Sequence, residues 1–213
     1  MSKKIIIIGA SGLGKEVAWL AHDCGYEVYG FLDDDANKKN IYGKAILGKI
    51  SDWKKWINFS FVIAVGNPIV KKNIFEMMTQ HEDCPSFATL IHPSVIMSKS
   101  IQVGEGTIIC AGVVLTVDII IKKNVLINIG STIGHDCLIE DFVTIAPNVA
   151  ISGNVTLEKY VEVGTGATIK QNLSLAKGSM LGMGSVLTKS IKERSLFFGI
   201  PAKHIKLISG NNL

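Results

Sequence analysis

The sequence of 213 residues lacks the marks of secreted and membrane-spanning proteins. Its four cysteines (Cys24, Cys84, Cys110 and Cys137) are widely spaced and include no CxxC pair. That pattern favours reduced, mostly buried thiols over a disulfide framework. No apolar run approaches the ~20 residues that cross a bilayer, and the four-isoleucine run near the N-terminus is too short for a signal peptide. We therefore expect a cytoplasmic protein without membrane insertion.

Blocks of like charge are also absent. The formal net charge is only +4, and the paired lysines are scattered among neutral residues. A nucleic-acid groove needs basic residues gathered in one stripe, so we expect no nucleic-acid partner. Apolar residues make up 47% of the chain, enough to bury a sizeable core.

A period of six residues dominates the second half of the chain. Every sixth position from residue 91 to residue 187 is aliphatic, without exception: Ile91, Met97, Val103, Ile109, Leu115, Ile121, Ile127, Ile133, Ile139, Ile145, Ile151, Leu157, Val163, Ile169, Leu175, Leu181 and Leu187. A second series, four residues later in each hexad, is almost entirely small or β-branched. An α-helical stripe needs steps of three and four, so this period predicts short strands with a turn every six residues. A solenoid that serves only as a spacer or oligomerisation device has the same pattern.

The first stretch to suggest a ligand is "KIIIIGASGLGKEVAWL", in which a strand runs into Gly9, Gly12 and Gly14. Such a turn lets the backbone approach a nucleotide, and Asp33 and Asp34 follow at the end of the next predicted strand. We predict strands near 4–8, 27–32, 60–65 and 86–90, and helices near 12–24 and 68–80. About 85 residues are too few for a full dinucleotide fold, so a dehydrogenase is the weakest interpretation. A βα turn that binds nothing is a further alternative.

The candidate for chemistry in the repeat is His135, with Asp136 beside it. Ile133 and Cys137 point inward by the hexad count, so His135 and Asp136 fall at an outward corner. Histidine accepts a proton near neutral pH, and an adjacent acid orients it. No second histidine lies within six residues, and we expect no metal site.

Two segments resemble a known family. "IGHDCLIEDFVTIAPNVAISGNVTL" resembles the catalytic segment of hexapeptide-repeat sugar acyltransferases of the sialic acid O-acetyltransferase and bacillosamine N-acetyltransferase type, and "GIPAK" resembles their tail motif. The resemblance implies an α/β nucleotide-binding-like domain followed by an all-β left-handed parallel β-helix. The implied segments are a nucleotide-sugar-binding domain at 1–85, the β-helix at 86–190 and a packed tail at 191–213.

The resemblance also implies roles for individual residues. His135 is the general base and Asp136 supports it, Asn128 lies by the acceptor, and Thr144 replaces a second histidine that donates to the acetyl oxygen. The residues implied to bind CoA are Gly153, Thr165, Pro201 and Lys203. The residues implied to bind the nucleotide sugar are Gly9, Ser11, Gly12, Asp33, Asp34, Gly66 and Asn67; Leu13 stands where relatives usually have histidine.

The implied activity is transfer of an acetyl group from acetyl-CoA to the amino group of a nucleotide-linked sugar, without a metal. The implied assembly is a homotrimer with active sites between subunits. Two alternatives stay open at this point: O-acetylation of a sialic acid or other sugar hydroxyl, and a non-catalytic trimeric scaffold that binds a nucleotide sugar.

Overall fold

The computed structural model describes residues 3–35, 37–80 and 83–208. Residues 1–2 and 209–213, the outer ends of the predicted segments 1–85 and 191–213, lie outside the described residues. Within the described part of the chain, no helix is both long enough and apolar enough to cross a membrane.

The N-terminal residues form an α/β unit. Its elements are β1 (Lys3–Ile8), α1 (Gly12–Asp23), β2 (Tyr26–Leu32), β3 (Asn40–Ile41), β4 (Lys44–Gly48), a 3₁₀ helix (Ile50–Trp56), β5 (Ser60–Ile63), α2 (Pro68–Thr79) and β6 (Ser86–Phe87). The sheet order is β3-β4-β2-β1-β5-β6, and its strands are parallel except where β3 meets β4.

Strand β1 is buried on both faces, which explains its unbroken isoleucine run. Ile5 and Ile7 pack in the same cluster as α1, whereas Ile6 and Ile8 pack with the 3₁₀ helix and α2. Strands β3 and β4 and the 3₁₀ helix are additions to the predicted elements. Because β6 pairs with β5, the last strand of this sheet lies just beyond residue 85, where we place the end of the first segment.

The second half of the chain is a parallel β-helix with three faces. The strands of the first face are Leu90–Ile91, Ile108–Ile109, Leu126–Ile127, Thr144–Ile145, Glu162–Val163 and Met180–Leu181. Those of the second face are Ile96–Met97, Val114–Leu115, Thr132–Ile133, Ala150–Ile151, Thr168–Ile169 and Val186–Leu187. Those of the third face are Gln102–Val103, Ile120–Ile121, Leu138–Ile139, Thr156–Leu157 and Ser174–Leu175.

Successive strands on each face are one coil apart and pair in parallel, as Ile109 pairs with Ile127 and Ile133 with Ile151. The predicted fold class, an α/β domain followed by a left-handed β-helix, is confirmed. The hexad isoleucines fill the interior: Ile109, Ile127 and Ile145, for example, are fully buried.

The corners of the β-helix have a six-residue period of their own. Their backbones lie in the left-handed region, which glycine, asparagine and aspartate tolerate best. The non-glycine members with positive φ are Asp118, Asn124, Asp136, Phe142, Asn148, Asn154, Tyr160 and Asn172. The corners are therefore specified by backbone conformation, just as the interior is specified by apolar volume.

The two units pack directly on each other. The outward side chains of Leu90, Ile108 and Leu126, on the first face, share a buried cluster with Val17 and Leu20 of α1. At the other end of the β-helix, the strand Ser195–Phe198 extends the first-face sheet and pairs with Lys203–Leu207 in an antiparallel hairpin. The N-terminal unit thus packs on the first face of the β-helix.

Candidate functional site

His135 and Asp136 lie at the corner between the second and third faces. Asp136 has φ 59°, so it takes the left-handed position of this corner. Both side chains are exposed, at 63% and 60% of their surface, and His135 Nδ1 lies 2.7 Å from Asp136 Oδ2. The hexad pattern therefore places an imidazole on the outer surface with a carboxylate in contact.

This pairing leaves one ring nitrogen free. When the Asp136 carboxylate is ionised it only accepts hydrogen bonds, so His135 Nδ1–H donates to it. The lone pair then lies on Nε2, which is the atom able to take a proton from a bound molecule.

Gly153, one coil further along at the same corner, supports the imidazole. A β-carbon added at Gly153 would lie 2.5 Å from both Cε1 and Nε2 of His135, so the ring occupies the space that a side chain would need. Over the ranges that the structure describes, the Gly153 N–H donates to no protein acceptor. The corner thus offers a basic nitrogen and a nearby N–H donor.

The second face separates this corner from two other predicted site residues. Asn128 and Thr165 follow strands of the first face and lie at the corner where the second face begins. The outward side chains between the two corners are short or modest in size: Thr132, Ala150 and Thr168. One protomer therefore does not bring Asn128 and Thr165 together with His135.

The "GIPAK" segment, residues 199–203, lies at the C-terminal end of the second face. Gly199 O accepts from Val186 N at 3.0 Å, and Ala202 N donates to Val186 O at 2.8 Å. Pro201 and Lys203 are exposed beside this anchoring point. The tail motif is held against the same face that separates the two corners.

Thr144 lies on the first face, which is the face opposite the His135 corner in a three-sided coil. It is only 7% exposed, and its hydroxyl donates to Gly66 O at 2.7 Å. The hydroxyl proton is therefore directed into the contact between the two units. The predicted donation from Thr144 to an acetyl oxygen is at odds with this placement, because the donor is already bonded on another side of the protomer.

The predicted nucleotide residues gather at the carboxyl ends of β1, β2 and β5. Gly9 packs against the main chain of Ala64, where a β-carbon would lie 2.9 Å from its carbonyl oxygen. The Asp33 carboxylate accepts from Ala10 N at 2.6 Å and pairs with Lys38 Nζ at 3.1 Å. Burial opposes ionisation of Asp33, but these donors and the Asp35 N–H hold its pKa below the ordinary value.

Two other residues of this group have structural partners. The Asp34 carboxylate accepts from Ile50 N at 2.9 Å, at the start of the 3₁₀ helix. The Asn67 side chain caps α2 by accepting from Ile69 N and Val70 N, both at 3.0 Å. Ser11 and Gly12 are exposed at the start of α1. The structure thus collects this predicted set at one edge of the sheet.

The cysteines near the site are buried thiols. Burial raises the pKa of Cys137, and burial raises that of Cys110 to about 12. A thiol is a poor nucleophile when its thiolate is disfavoured. Across residues 3–35, 37–80 and 83–208, no group of three histidine, cysteine, aspartate or glutamate side chains is arranged to hold a metal ion.

Lys71 and Glu162 are polar residues at the interdomain contact that the sequence reasoning missed. Lys71 is 2% exposed and lies on the apolar stripe of α2 that also includes Pro68, Ile74 and Met78. Glu162 is the one charged residue among the outward strand positions of the three β-helix faces. Both residues can be recognised in the sequence, because Lys71 interrupts the apolar stripe of a predicted helix and Glu162 interrupts an otherwise uncharged series of strand positions.

The fold and the corner histidine define a class: an α/β nucleotide-binding-like domain joined to a β-helix of the acyltransferase type. The family model of the PglD N-terminal domain matches residues 4–78. UDP-N-acetylbacillosamine N-acetyltransferase of Bacillus subtilis (strain 168) is 35% identical over 114 residues, 51% of this chain. The match covers 52% of that relative and 23% of a second curated one, the uncharacterized protein L142 of Acanthamoeba polyphaga mimivirus.

Solved structures cover much more of the chain. The acetyltransferase domain of PglB from Neisseria gonorrhoeae FA1090 is 31% identical, with a TM-score of 0.90 over 96% of this chain and 100% of that domain. PerB from Caulobacter crescentus, in complex with CoA and GDP-perosamine, is 25% identical, with a TM-score of 0.88 over 95% of this chain and 97% of PerB. The chain therefore belongs to the family of hexapeptide-repeat sugar acyltransferases.

Proposed function

We propose that the protein transfers an acetyl group from acetyl-CoA to the amino group of a nucleotide-linked sugar. The observation that carries this proposal is the His135 corner, where the imidazole is exposed, paired with Asp136 at 2.7 Å and seated on Gly153. Support comes from relatives: the PglB domain has a solved complex with acetyl coenzyme A, and PerB one with CoA and GDP-perosamine.

In the proposed mechanism the acceptor nitrogen attacks the thioester carbonyl while His135 Nε2 takes the proton that this nitrogen loses. A carbon–nitrogen bond forms, the carbon–sulfur bond breaks, and the proton passes from the imidazolium to the leaving thiolate. Asp136 holds the imidazole in the required tautomer and stabilises its charged form. Transfer is direct, since the buried Cys110 and Cys137 offer no covalent route.

For the oxyanion we favour the Gly153 N–H over Thr144. The Gly153 N–H is adjacent to the imidazole and donates to none of the residues described, whereas the Thr144 hydroxyl is bonded to Gly66 O. Such fixed donors stabilise the charge that develops in the transition state. The short side chains of Thr132, Ala150 and Thr168 leave room along the second face for the pantetheine arm of CoA. Pro201 and Lys203 lie at the C-terminal end of this face.

We further propose that the site is completed between protomers of a homotrimer. His135 and Gly153 lie at one edge of the second face, and Asn128 and Thr165 lie at the other. A cyclic assembly that packs one edge against the other of its neighbour brings the two sets together. The nucleotide of the sugar then binds at the carboxyl edge of the α/β sheet, beside Gly9, Ser11 and Gly66.

The test is acetylation of a panel of nucleotide sugars in the presence of acetyl-CoA, detected by mass spectrometry. We expect the 4-amino sugars to gain one acetyl group, and His135→Ala to lower kcat by about 10²–10⁴-fold. The control is His22→Ala, which removes an exposed histidine that also pairs with the aspartate following it, Asp23, but lies on α1 away from the His135 corner.

Acetylation of hydroxylated but not amino sugar nucleotides would replace the proposed acceptor with a sugar hydroxyl. A His135→Ala enzyme with kcat within about threefold of wild type would remove His135 from the mechanism. Nucleotide-sugar binding with no CoA binding would favour the non-catalytic scaffold.

A further inference from the structure

The contact between α2 and the first face contains a polar cluster, formed by the buried Lys71 and Thr144 and the half-buried Gly66 and Glu162. Lys71 Nζ lies 3.2 Å from Thr144 Oγ1 and 3.3 Å from Val143 O, and Thr144 Oγ1 in turn donates to Gly66 O at 2.7 Å. Glu162 lies next to Thr144 on the following coil. Polar groups buried in this way are retained only when their partners satisfy them.

The hydrogen bonds of this cluster form a closed circuit. The backbone N–H of Lys71 donates to Asn67 O at 3.0 Å, and its side-chain amine donates to the Thr144 hydroxyl. That hydroxyl donates in turn to the carbonyl oxygen of Gly66, the residue before Asn67. The turn at Gly66–Asn67 is therefore held from two directions, by the first turn of α2 and by the β-helix.

The donors of Lys71 match the acceptors that are present. A neutral lysine amine has two N–H groups, and the two oxygens of Val143 and Thr144 accept them. Among the residues that the structure describes, no further acceptor is hydrogen-bonded to Lys71 Nζ, so a third N–H of the ammonium form has no partner there. Burial accordingly lowers the pKa of Lys71 to about 7, although the charge of Glu162 opposes the shift. Burial also raises the pKa of Glu162, against the effect of Lys71.

The held turn is part of the predicted nucleotide pocket. Gly66 follows β5, whose carboxyl end lies beside that of β1, and Gly9 after β1 packs against Ala64 and Val65. Because the glycine loop packs on the two residues that lead into the Gly66–Asn67 turn, we expect a shift of Gly66 relative to the β-helix to change the position of the pocket relative to the His135 corner.

We propose that Lys71 and Thr144 are positioning residues, which fix the Gly66–Asn67 turn on the β-helix so that a nucleoside diphosphate sugar is held at the correct distance from the corner imidazole. This proposal rests on the proposed function for its substrate. Neither residue touches the reacting atoms. Their effect reaches the acceptor through the carbonyl of Gly66 and through the start of α2.

The experiment compares Lys71→Met and Thr144→Val with two matched controls, in the full-length protein. Lys72→Met changes the neighbouring lysine of α2, which pairs with Glu76 at 3.5 Å, and Thr144→Ser keeps the hydroxyl. Hydrogen–deuterium exchange, without any ligand, reports on the amides of residues 69–71. We expect these amides to exchange roughly tenfold faster in Lys71→Met and Thr144→Val, and at wild-type rates in both controls.

Binding of uridine and guanosine diphosphate by calorimetry, and steady-state kinetics, complete the test. We expect Lys71→Met and Thr144→Val to raise the acceptor KM roughly tenfold, with kcat within about threefold and an unchanged KM for acetyl-CoA. We expect the affinity for the nucleoside diphosphate to fall by a similar factor. A merely structural role lowers the unfolding midpoint without separating KM from kcat in this way.

Unchanged exchange at residues 69–71 in both variants would overturn the proposal. So would faster exchange with an unchanged affinity for both nucleoside diphosphates, because the turn would then be uncoupled from the pocket. Should the wild-type protein acetylate no sugar, the proposed function fails, yet the exchange and diphosphate-binding results still decide the role of Lys71 and Thr144.

Discussion

At the residue scale, the corner position of the hexad decides which side chains are available for chemistry. Asp136 has the left-handed backbone that any corner of this type needs, and it is also the partner of His135. The same residue therefore serves the fold and the site. Asparagine serves the backbone equally well at other corners, such as position 154, so the carboxylate at 136 is what the site adds.

This dual role predicts a selective effect of Asp136→Asn. Asparagine retains the corner backbone but loses the negative charge that orients and stabilises the imidazole, so kcat should fall by roughly 10- to 100-fold while the unfolding midpoint stays near that of wild type. Steady-state kinetics and thermal unfolding measure the two quantities.

The matched control is Asp118→Asn, at the same corner one coil earlier, where φ is 54°. It makes the same chemical change without a histidine beside it, so its kcat should remain at the wild-type value. Equal losses in the two variants would mean that the effect comes from the corner and not from the His135 pair.

At the scale of elements, α2 connects the predicted pocket to the β-helix. The family resemblance implies that Asn67, the N-cap of this helix, lines the nucleotide pocket. In the structure its side chain accepts from two N–H groups at the start of the helix. Its buried stripe includes Lys71. The helix is therefore held at its start by a cap and along its side by a buried amine.

Substitution of Asn67 separates capping from ligand binding. Asn67→Ala removes the cap and should lower the free energy of unfolding by about 1 kcal/mol, whereas Asn67→Ser, which is a comparably good cap without a charge, should not. Urea denaturation measures the difference. If Asn67→Ser retains stability but binds the nucleoside diphosphate much more weakly, the amide also contacts the ligand; if Asn67→Ala is as stable as wild type, the cap contributes nothing.

At the scale of the whole molecule, the two edges of the second face make the proposed site depend on a neighbour. His135→Ala and Asn128→Ala homotrimers should both be impaired. In a mixed trimer, the Asn128→Ala protomer still supplies His135 and the His135→Ala protomer still supplies Asn128, so the interface that combines these two residues has an intact site. About a quarter of the interfaces in an equimolar random mixture are of this kind.

Co-expression with two affinity tags isolates these mixed trimers for assay. Activity that reappears on mixing supports a site shared between neighbouring protomers. Absence of any gain over the separate variants, with both tags present in the purified trimers, would mean that each protomer carries a complete site.

The buried Lys71 also makes global stability depend on pH. Its pKa of about 7 in the folded chain lies below the ordinary value of 10.5, so between these pH values the unfolded chain binds a proton that the folded chain does not. We therefore expect the contribution of Lys71 to stability to rise with pH from about 7 to about 10.5. The raised pKa of Glu162 has the opposite effect: above the ordinary value of 4.5 it makes stability fall as the pH rises, until the pKa of the folded chain is passed.

We expect Lys71→Met to lose this rise, so that its stability relative to wild type is greatest near pH 7 and smaller near pH 10, by on the order of a few kcal/mol. Urea denaturation at a series of pH values checks it, with Lys72→Met as the control that retains the wild-type slope. Parallel curves for wild type and Lys71→Met would show that Lys71 is charged in the folded protein throughout this range.

Much of this protein can be derived from the sequence because repeats are local. The aliphatic series predicts the β-helix interior, since each inward position depends on only a few neighbouring residues. The left-handed corners, which include Phe142 and Tyr160, are seen in the structure. His135 could be identified for the same reason: in a coil of six-residue edges, the residue between two inward positions has to point outward.

The positions of residues across the contact between the two units depended on the tertiary structure. Nothing in the local sequence at Thr144 indicates that its hydroxyl donates a hydrogen bond to Gly66 O, 78 residues earlier, or that it accepts one from Lys71 Nζ. Local periodicity determines which way a side chain points, but only the packing of α2 on the first face determines what that side chain meets. The sequence alone thus determined the coil and its corner imidazole, and the tertiary structure decided how the carboxyl edge of the α/β sheet is held relative to them.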